Sequence, residues 1–148
     1  MNRNNYNPDI WGIHGWLFID TSILSYPLNN PSDDIKKYYY NFLESLKYTL
    51  PCNDCRLHYN NYFNNNTLNN NILSSRDALI DWILKCHNNV NHINNKKMIS
   101  KKDFIDYYNK LYKNKCVSKC NKKPFNIMNY INYIILFIFI CLIIFYKK

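Results

Sequence analysis

Only two glycines, Gly12 and Gly15, interrupt 148 residues. Glycine supplies the positive-φ turns and close backbone approaches on which phosphate-binding loops and many-turned β folds depend. A Gly-rich nucleotide loop is therefore excluded, and a chain so poor in glycine is left with helices. The apolar pattern agrees, because its spacing is three and four rather than two. Ile10, Ile13, Leu17 and Leu24 share one face of a first helix, closed by Tyr26-Pro27. A second helix follows Pro31, with Ser32 as cap, Asp33 and Asp34 in its first turn, and a stripe of Ile35, Tyr38, Tyr39, Phe42, Leu46 and Leu50. Pro51 breaks that helix and suits the first turn of a third, which carries Cys52, Cys55, Tyr59 and Phe63 along one face. Beyond an asparagine-rich loop, Ser74 or Ser75 caps a fourth helix with Leu79, Trp82, Ile83, Cys86 and Val90 inward. Ser100-x-x-Asp103 forms a capping box that opens a fifth, with Phe104, Tyr108, Leu111 and Tyr112 on its apolar side. The expected fold class is all-α: a four-helix bundle with an additional short helix.

From Ile127 to Tyr146 the chain runs for twenty residues without a charge. As a helix it would be about 30 Å long, the thickness of a bilayer core. Asn129 and Asn132 lie near one end, and Lys122, Lys123, Lys147 and Lys148 bracket the stretch. The expectation is a single-pass C-terminal tail anchor. The first residues, MNRNNYNPD, carry no apolar signal core. Lys113, Lys115, Lys119, Lys122 and Lys123 precede the span, so the positive-inside rule keeps the head on the cytosolic side. Three parts are expected: a helical domain over residues 1–115, a lysine-rich linker over 116–126 and the anchor over 127–146.

The net charge is +9 and 17% of residues are aromatic, a balance that invites a nucleic-acid reading. The lysines cluster beside the uncharged span instead of interleaving with aromatics, which argues against nucleic acid as partner and for an anionic membrane surface.

Six cysteines stand at 52, 55, 86, 116, 120 and 141. Cys141 falls inside the span, and the other five face a reducing compartment, where cysteines serve catalysis or metal more often than structural bridges. The stretch LPCNDCRLHY, residues 50–59, is the sharpest motif. A structural zinc site asks for four ligands, commonly from two Cys-x-x-Cys pairs. The other pair, Cys116 and Cys120, is about sixty residues away with a different spacing, although His58, Cys86 and His87 could stand in. A thioredoxin-like dithiol needs a strand before its helix, and the stripe before Cys52 is helical. What remains is a redox dithiol at a helix N-terminus, where backbone N–H groups favour a thiolate by about 0.3–1 kcal/mol. Such a dithiol must hand its electrons on, so a cofactor is implied. The alternative is a membrane-tethered zinc-binding or redox-sensing module without turnover.

Two further stretches accompany the dithiol: WGIHGWLFID at residues 11–20, and HNNVN at 87–91 followed by NKKMIS. Their order and spacing around LPCNDC resemble the Erv/ALR family of FAD-linked sulfhydryl oxidases, closest to the short members of large DNA viruses. The likeness covers about residues 8–112. It implies an enzyme in which a helical bundle cradles FAD, usually as a homodimer. Cys52 would be the sulfur attacked by an incoming thiol and Cys55 the one beside the flavin. Gly12 and Trp16 would lie near the flavin. His87, Asn88, Val90 and Asn91 would hold the adenine side, and Lys96 would approach the charged or ribose region. Asp20 falls at a cofactor position that the family fills with histidine, and a carboxylate is a poor neighbour for phosphates. Electrons would pass from protein dithiols, or from a viral thioredoxin-like carrier, to O2, giving hydrogen peroxide. Cys116 and Cys120 would serve as a shuttle disulfide, and no metal is expected. Host cytoplasmic membranes or a virion membrane would hold the anchor. Leu84 and Ser100 replace a structural bridge found in other members, leaving Cys86 as a free, buried thiol.

Overall fold

The computed structural model describes residues 4–113. Within them the order is α1 (Pro8–Leu24), α2 (Asp33–Thr49), α3 (Asn53–Asn65), a 3-10 turn (Ile72–Ser74), α4 (Arg76–Ile93) and α5 (Lys101–Lys113). The chain divides into two compact units, Met1–Asn109 and Lys110–Lys148, and the second is described only over the last turn of α5. Among the described residues there is no strand, only an isolated bridge between Asn29 and Ser75. No helix among them is long and apolar enough to cross a membrane. The expected linker, cysteine pair and tail anchor lie outside the described residues.

Local chemistry starts each helix. Asn7 accepts the N–H of Asp9, with Pro8 at the first helical position, where its missing N–H is not needed. Ser32 accepts from Ile35, and Ser75 from Ala78 at 3.2 Å. Ser100 completes a reciprocal box, accepting Asp103 N–H at 3.1 Å and donating its hydroxyl to the Asp103 carboxylate at 2.8 Å. Cys52 caps α3 through sulfur: its Sγ accepts Cys55 N–H at 3.1 Å. Pro51 thus precedes the cap and lies outside the first turn where the sequence placed it, because the extended backbone of Leu50 and Cys52 delays the helix to Asn53. Asn30 and Asn95 take left-handed φ values of 49° and 52°, the region asparagine tolerates best after glycine. In a glycine-poor chain these two turn the loops.

α4 is the central element, packing on α1, on α3 and on the 3-10 turn, while α2 packs on α3. Leu79, Ile83 and Cys86 of α4, Ile23 of α1 and Leu43 of α2 are almost wholly buried. Each aliphatic side chain so buried contributes roughly 1.5–3 kcal/mol of transfer free energy. The buried tyrosines satisfy their hydroxyls on backbone carbonyls, which join neighbouring elements. Tyr26 donates to Leu73 O at 2.8 Å, Tyr59 to Leu43 O at 2.8 Å and Tyr62 to Trp82 O at 2.7 Å. Trp82 Nε1 donates to Asn66 O at 2.7 Å, so this tryptophan is a core residue. Burial pushes the phenols of Tyr59 and Tyr62 up, with Cys86 as a second cause, and keeps both as donors.

The inward face of α1 differs from the expected one. Ile10 and Ile13 are 74% and 69% exposed, whereas Ile19, Asp20 and Ile23 are buried. The helix is apolar on nearly every side, so its pattern carries no direction, and packing against α4 chooses the face. Tyr38 of the α2 stripe is likewise exposed, its inward place taken by Leu43.

Candidate active site

The dithiol sits where α2 stops and α3 starts. Cys52 and Cys55 form a disulfide with Cα atoms 5.1 Å apart, a separation that one helical turn provides and disulfide geometry accepts. Arg56 braces the turn, its guanidinium donating to Leu50 O and to Asn53 Oδ1. The segment before α1 lies against the same turn. Asn5 Oδ1 accepts Asn53 N–H at 2.8 Å, and Tyr6 N–H donates to Pro51 O at 3.0 Å. Trp11 Nε1 then donates to Tyr6 O at 3.3 Å and ties that segment to the helix. The two neighbours of Cys52 in the chain are thus held from the N-terminus. Cys52 itself is 5% exposed, and Cys55 is half-buried. Of the pair, the sulfur expected to meet substrate is the more covered.

α1 carries the second part of the site. Gly12, Trp16 and Asp20 recur every four residues, so they share a face and span about 12 Å of helix. A Cβ built on Gly12 would meet nothing within 4 Å, so this glycine borders open space. At Gly15 a Cβ would stand 3.1 Å from the Trp11 ring. Trp16 stacks on His87 of α4, ring centroids 4.0 Å apart and planes 4° from parallel. Asp20 is wholly buried behind them. Its Oδ2 accepts the Tyr108 hydroxyl at 2.8 Å and stands 3.5 Å from His87 Nδ1. Asp20 Oδ1 and His87 Nδ1 are buried without a hydrogen-bond partner.

The remaining expected residues follow His87 along α4 and into its loop. Asn88 makes both amide bonds to Ile99: its Oδ1 accepts Ile99 N–H at 2.8 Å and its Nδ2 donates to Ile99 O at 2.9 Å. Val90 and Asn91 are half-buried, and Lys96 is exposed, its backbone N–H donating to Asn91 O at 2.7 Å. Cys86 is a free, buried thiol, pushed up by burial first and by the Asp20 charge second. Cys116 and Cys120 lie outside the described residues. Among the described residues no cluster of three or more His, Cys, Asp or Glu is placed to hold a metal.

Sequence reasoning did not find Tyr108 as the partner of Asp20, nor the Asn5–Tyr6 anchor. Eighty-eight residues separate the first pair, and no local pattern links them. Asn5 stands at an ordinary polar terminus.

The donor set suits FAD on the structure's own terms. A parallel Trp16–His87 pair offers a face to a flat ring system, Gly12 leaves room beside it, and the exposed lysines at 96 and 97 offer charge to a diphosphate. The buried Asp20 carboxylate meets the Tyr108 hydroxyl.

A bundle with a Cys-x-x-Cys disulfide at a helix N-terminus and an aromatic site on the adjoining helices defines a thiol–disulfide redox protein of all-helical class. The Erv1/Alr family model matches residues 13–113, and the chain belongs to that family. A protein of Acanthamoeba polyphaga mimivirus, named "Probable FAD-linked sulfhydryl oxidase", is 40% identical over 100 residues, 68% of this chain and 69% of that one. A relative in Invertebrate iridescent virus 3 is 26% identical over 120 residues, covering 81% and 80% of the two chains. The crystal structure of the FAD-binding domain of Erv1 from Saccharomyces cerevisiae superposes with a TM-score of 0.62. At 24% identity it covers 74% of this chain and 97% of that one, a likeness of fold.

Proposed function

We propose that this chain is an FAD-dependent sulfhydryl oxidase that converts protein dithiols to disulfides and delivers their electrons to dioxygen. The observation that carries the reading is the Cys52–Cys55 disulfide at the head of α3, in a chain of the Erv1/Alr family. A substrate thiolate attacks Cys52 Sγ, forming a mixed disulfide and releasing Cys55 as thiolate. A second substrate thiol, deprotonated, attacks the substrate sulfur of that bond. The substrate leaves as a disulfide and the enzyme keeps two reduced cysteines. The α3 N-terminus, which holds the disulfide, also favours the thiolates that these steps need. Cys52 is the more covered residue of the pair, and loosening the Asn5–Tyr6 contacts to its neighbours Pro51 and Asn53 would ease the approach of a protein thiol. FAD, when bound, would supply the two-electron acceptor that the cysteines lack, and the overall balance is two thiols plus O2 to one disulfide plus H2O2. Trp16 and His87 would give the ring system its aromatic wall, Gly12 its clearance, Val90 and Asn91 its flank and Lys96 its charge. Asn88 holds the loop beside it.

A second copy covers the exposed apolar residues Tyr6, Ile10, Ile13 and Phe18 at and before α1, a patch of the kind that marks an interface. The uncharged stretch 127–146 anchors the chain with the head in the cytosol, on a host cytoplasmic or virion membrane, and Cys116 with Cys120 relays electrons from substrate. A thioredoxin-like carrier would bring them.

The full chain, purified in detergent, should be yellow and should consume oxygen when given a dithiol. Cys52→Ser and Cys55→Ser should each abolish that uptake. A folded, colourless protein that takes up no added FAD would overturn the reading.

A further inference from the structure

We infer that Asp20 is a positioning residue for this site: its buried carboxylate fixes the His87 imidazole with the ring proton on Nδ1, and so sets the edge of the aromatic wall whose face Trp16 sets. This rests on the flavin reading of the site, and it adds a residue that acts through another.

Three observations point to it. Asp20 is 0% exposed, and a buried carboxylate is costly unless a donor or a cation meets it. The Tyr108 hydroxyl meets Oδ2, but a phenol O–H brings no charge, and Oδ1 is left without a partner. Among the described residues, the one basic side chain within 4 Å of the carboxylate is His87, at 3.5 Å through Nδ1. That nitrogen is itself buried and without a partner. The two orphaned polar atoms, Asp20 Oδ1 and His87 Nδ1, thus belong to one buried cluster, and Nδ1 already stands 3.5 Å from the other oxygen of the same carboxylate, so a small ring adjustment makes Nδ1–H to carboxylate a hydrogen bond.

The direction of the bond follows from chemistry. An ionised carboxylate only accepts, so Nδ1 must carry the proton, and Nε2 becomes the nitrogen free to serve the site. Face and edge are then restrained independently. Trp16 holds the plane of the ring, and Asp20 selects which of the two in-plane flips about χ2 points Nδ1 at the carboxylate. His87 is 16% exposed at its side chain, so one part of the ring is open while Nδ1 is closed off. Orienting an imidazole through the hydrogen bond on its other nitrogen is a general device, and losing such a partner typically costs about 10–100-fold in binding at metal sites.

The test reads the ring nitrogens directly. Full-length protein labelled with 15N-histidine and stripped of its flavin is examined by long-range 1H–15N correlation at about pH 8, above the ordinary histidine range near 6.5. The chain has four histidines, and the His87 signals are those missing from His87→Asn. We expect His87 to carry its proton on Nδ1. In Asp20→Leu/Tyr108→Phe, where both buried polar groups are replaced by apolar ones, the His87 pattern should change to that of an unrestrained ring. FAD affinity should fall by about fivefold or more, the factor that the loss of one hydrogen bond of about 1 kcal/mol makes. Tyr108→Phe alone should keep the Nδ1–H pattern, because the carboxylate remains.

A bare Nδ1 in the wild type would overturn the inference, and so would a His87 pattern unchanged in the double variant. If the double variant fails to fold, the wild-type spectrum and Tyr108→Phe decide. Wild-type protein that binds no FAD would instead sink the flavin reading, since the tautomer is measured without it.

Discussion

Asn88 closes both backbone groups of Ile99 with one side-chain amide, Oδ1 to N–H at 2.8 Å and Nδ2 to C=O at 2.9 Å. The pair staples the loop that leaves α4 to the helix it leaves, as a short strand pairing would. Replacing Asn88 with Ala strands two part-buried backbone groups, which costs about 1–3 kcal/mol. Asn88→Asp keeps the acceptor and loses the donor, so it should fall between. Urea unfolding midpoints at constant slope check this, with hydrogen exchange of residues 94–100 rising first.

Asn5 caps the redox turn from outside α3. Asn5→Ala removes the acceptor on Asn53 N–H, a loss of the N-capping type worth about 1 kcal/mol. The turn should open more often, and the Cys52–Cys55 disulfide should be reduced by a bulky thiol about fivefold faster, the factor that about 1 kcal/mol makes. Stopped-flow reduction by glutathione measures it. An unchanged rate would mean that Cys52 is reached by another path.

Cys86 should be inert in the folded protein. Burial, and the Asp20 charge after it, raise its thiol well above the ordinary cysteine range, so it holds its proton through neutral and mildly alkaline pH. Iodoacetamide at pH 8 should leave Cys86 unmodified in native protein and label it on unfolding, as read by peptide mass mapping. Cys86→Ala should retain oxygen uptake.

The same shifts set the alkaline limit of stability. Cys86, Tyr59 and Tyr62 all have folded-state values raised above 9.0 or 10.0. The unfolded chain therefore releases these protons first as pH rises, and stability declines above about pH 9. The contribution is fully present below that range and is lost on the way up through the folded values. Tm measured from pH 7 to 11 should fall over the upper half, and Cys86→Ala should move the onset upward.

Ile13 stands 69% exposed on α1, one of the exposed apolar residues there with Ile10 and Phe18. Ile13→Lys places a charge where a second copy would pack. It should turn a dimer into a monomer by sedimentation while leaving the helical circular dichroism intact. A wild-type chain that is already monomeric would remove the α1 interface.

Helix starts were legible because capping is local: Ser32, Ser75 and Ser100 each act within three residues of chain. So was the pairing of Cys52 with Cys55, whose spacing is one helical turn, and so were the inward residues of α4, where apolar and polar sides differ. Other features were silent because they depend on what comes from elsewhere in the chain. α1 is apolar on nearly every side, so only contact with α4 could decide that Asp20 and Ile23 turn inward while Ile10 and Ile13 remain outside. The engagement of the Asn88 amide by Ile99, eleven residues on, is likewise written in no local pattern. Sequence by itself determined the helices, their caps and the redox turn, since these are governed by neighbours a few residues apart. Only the tertiary structure decided what a buried carboxylate at position 20 would meet. Tyr108 and His87 reach it from α5 and α4, and the cost of burying charge makes those partners necessary.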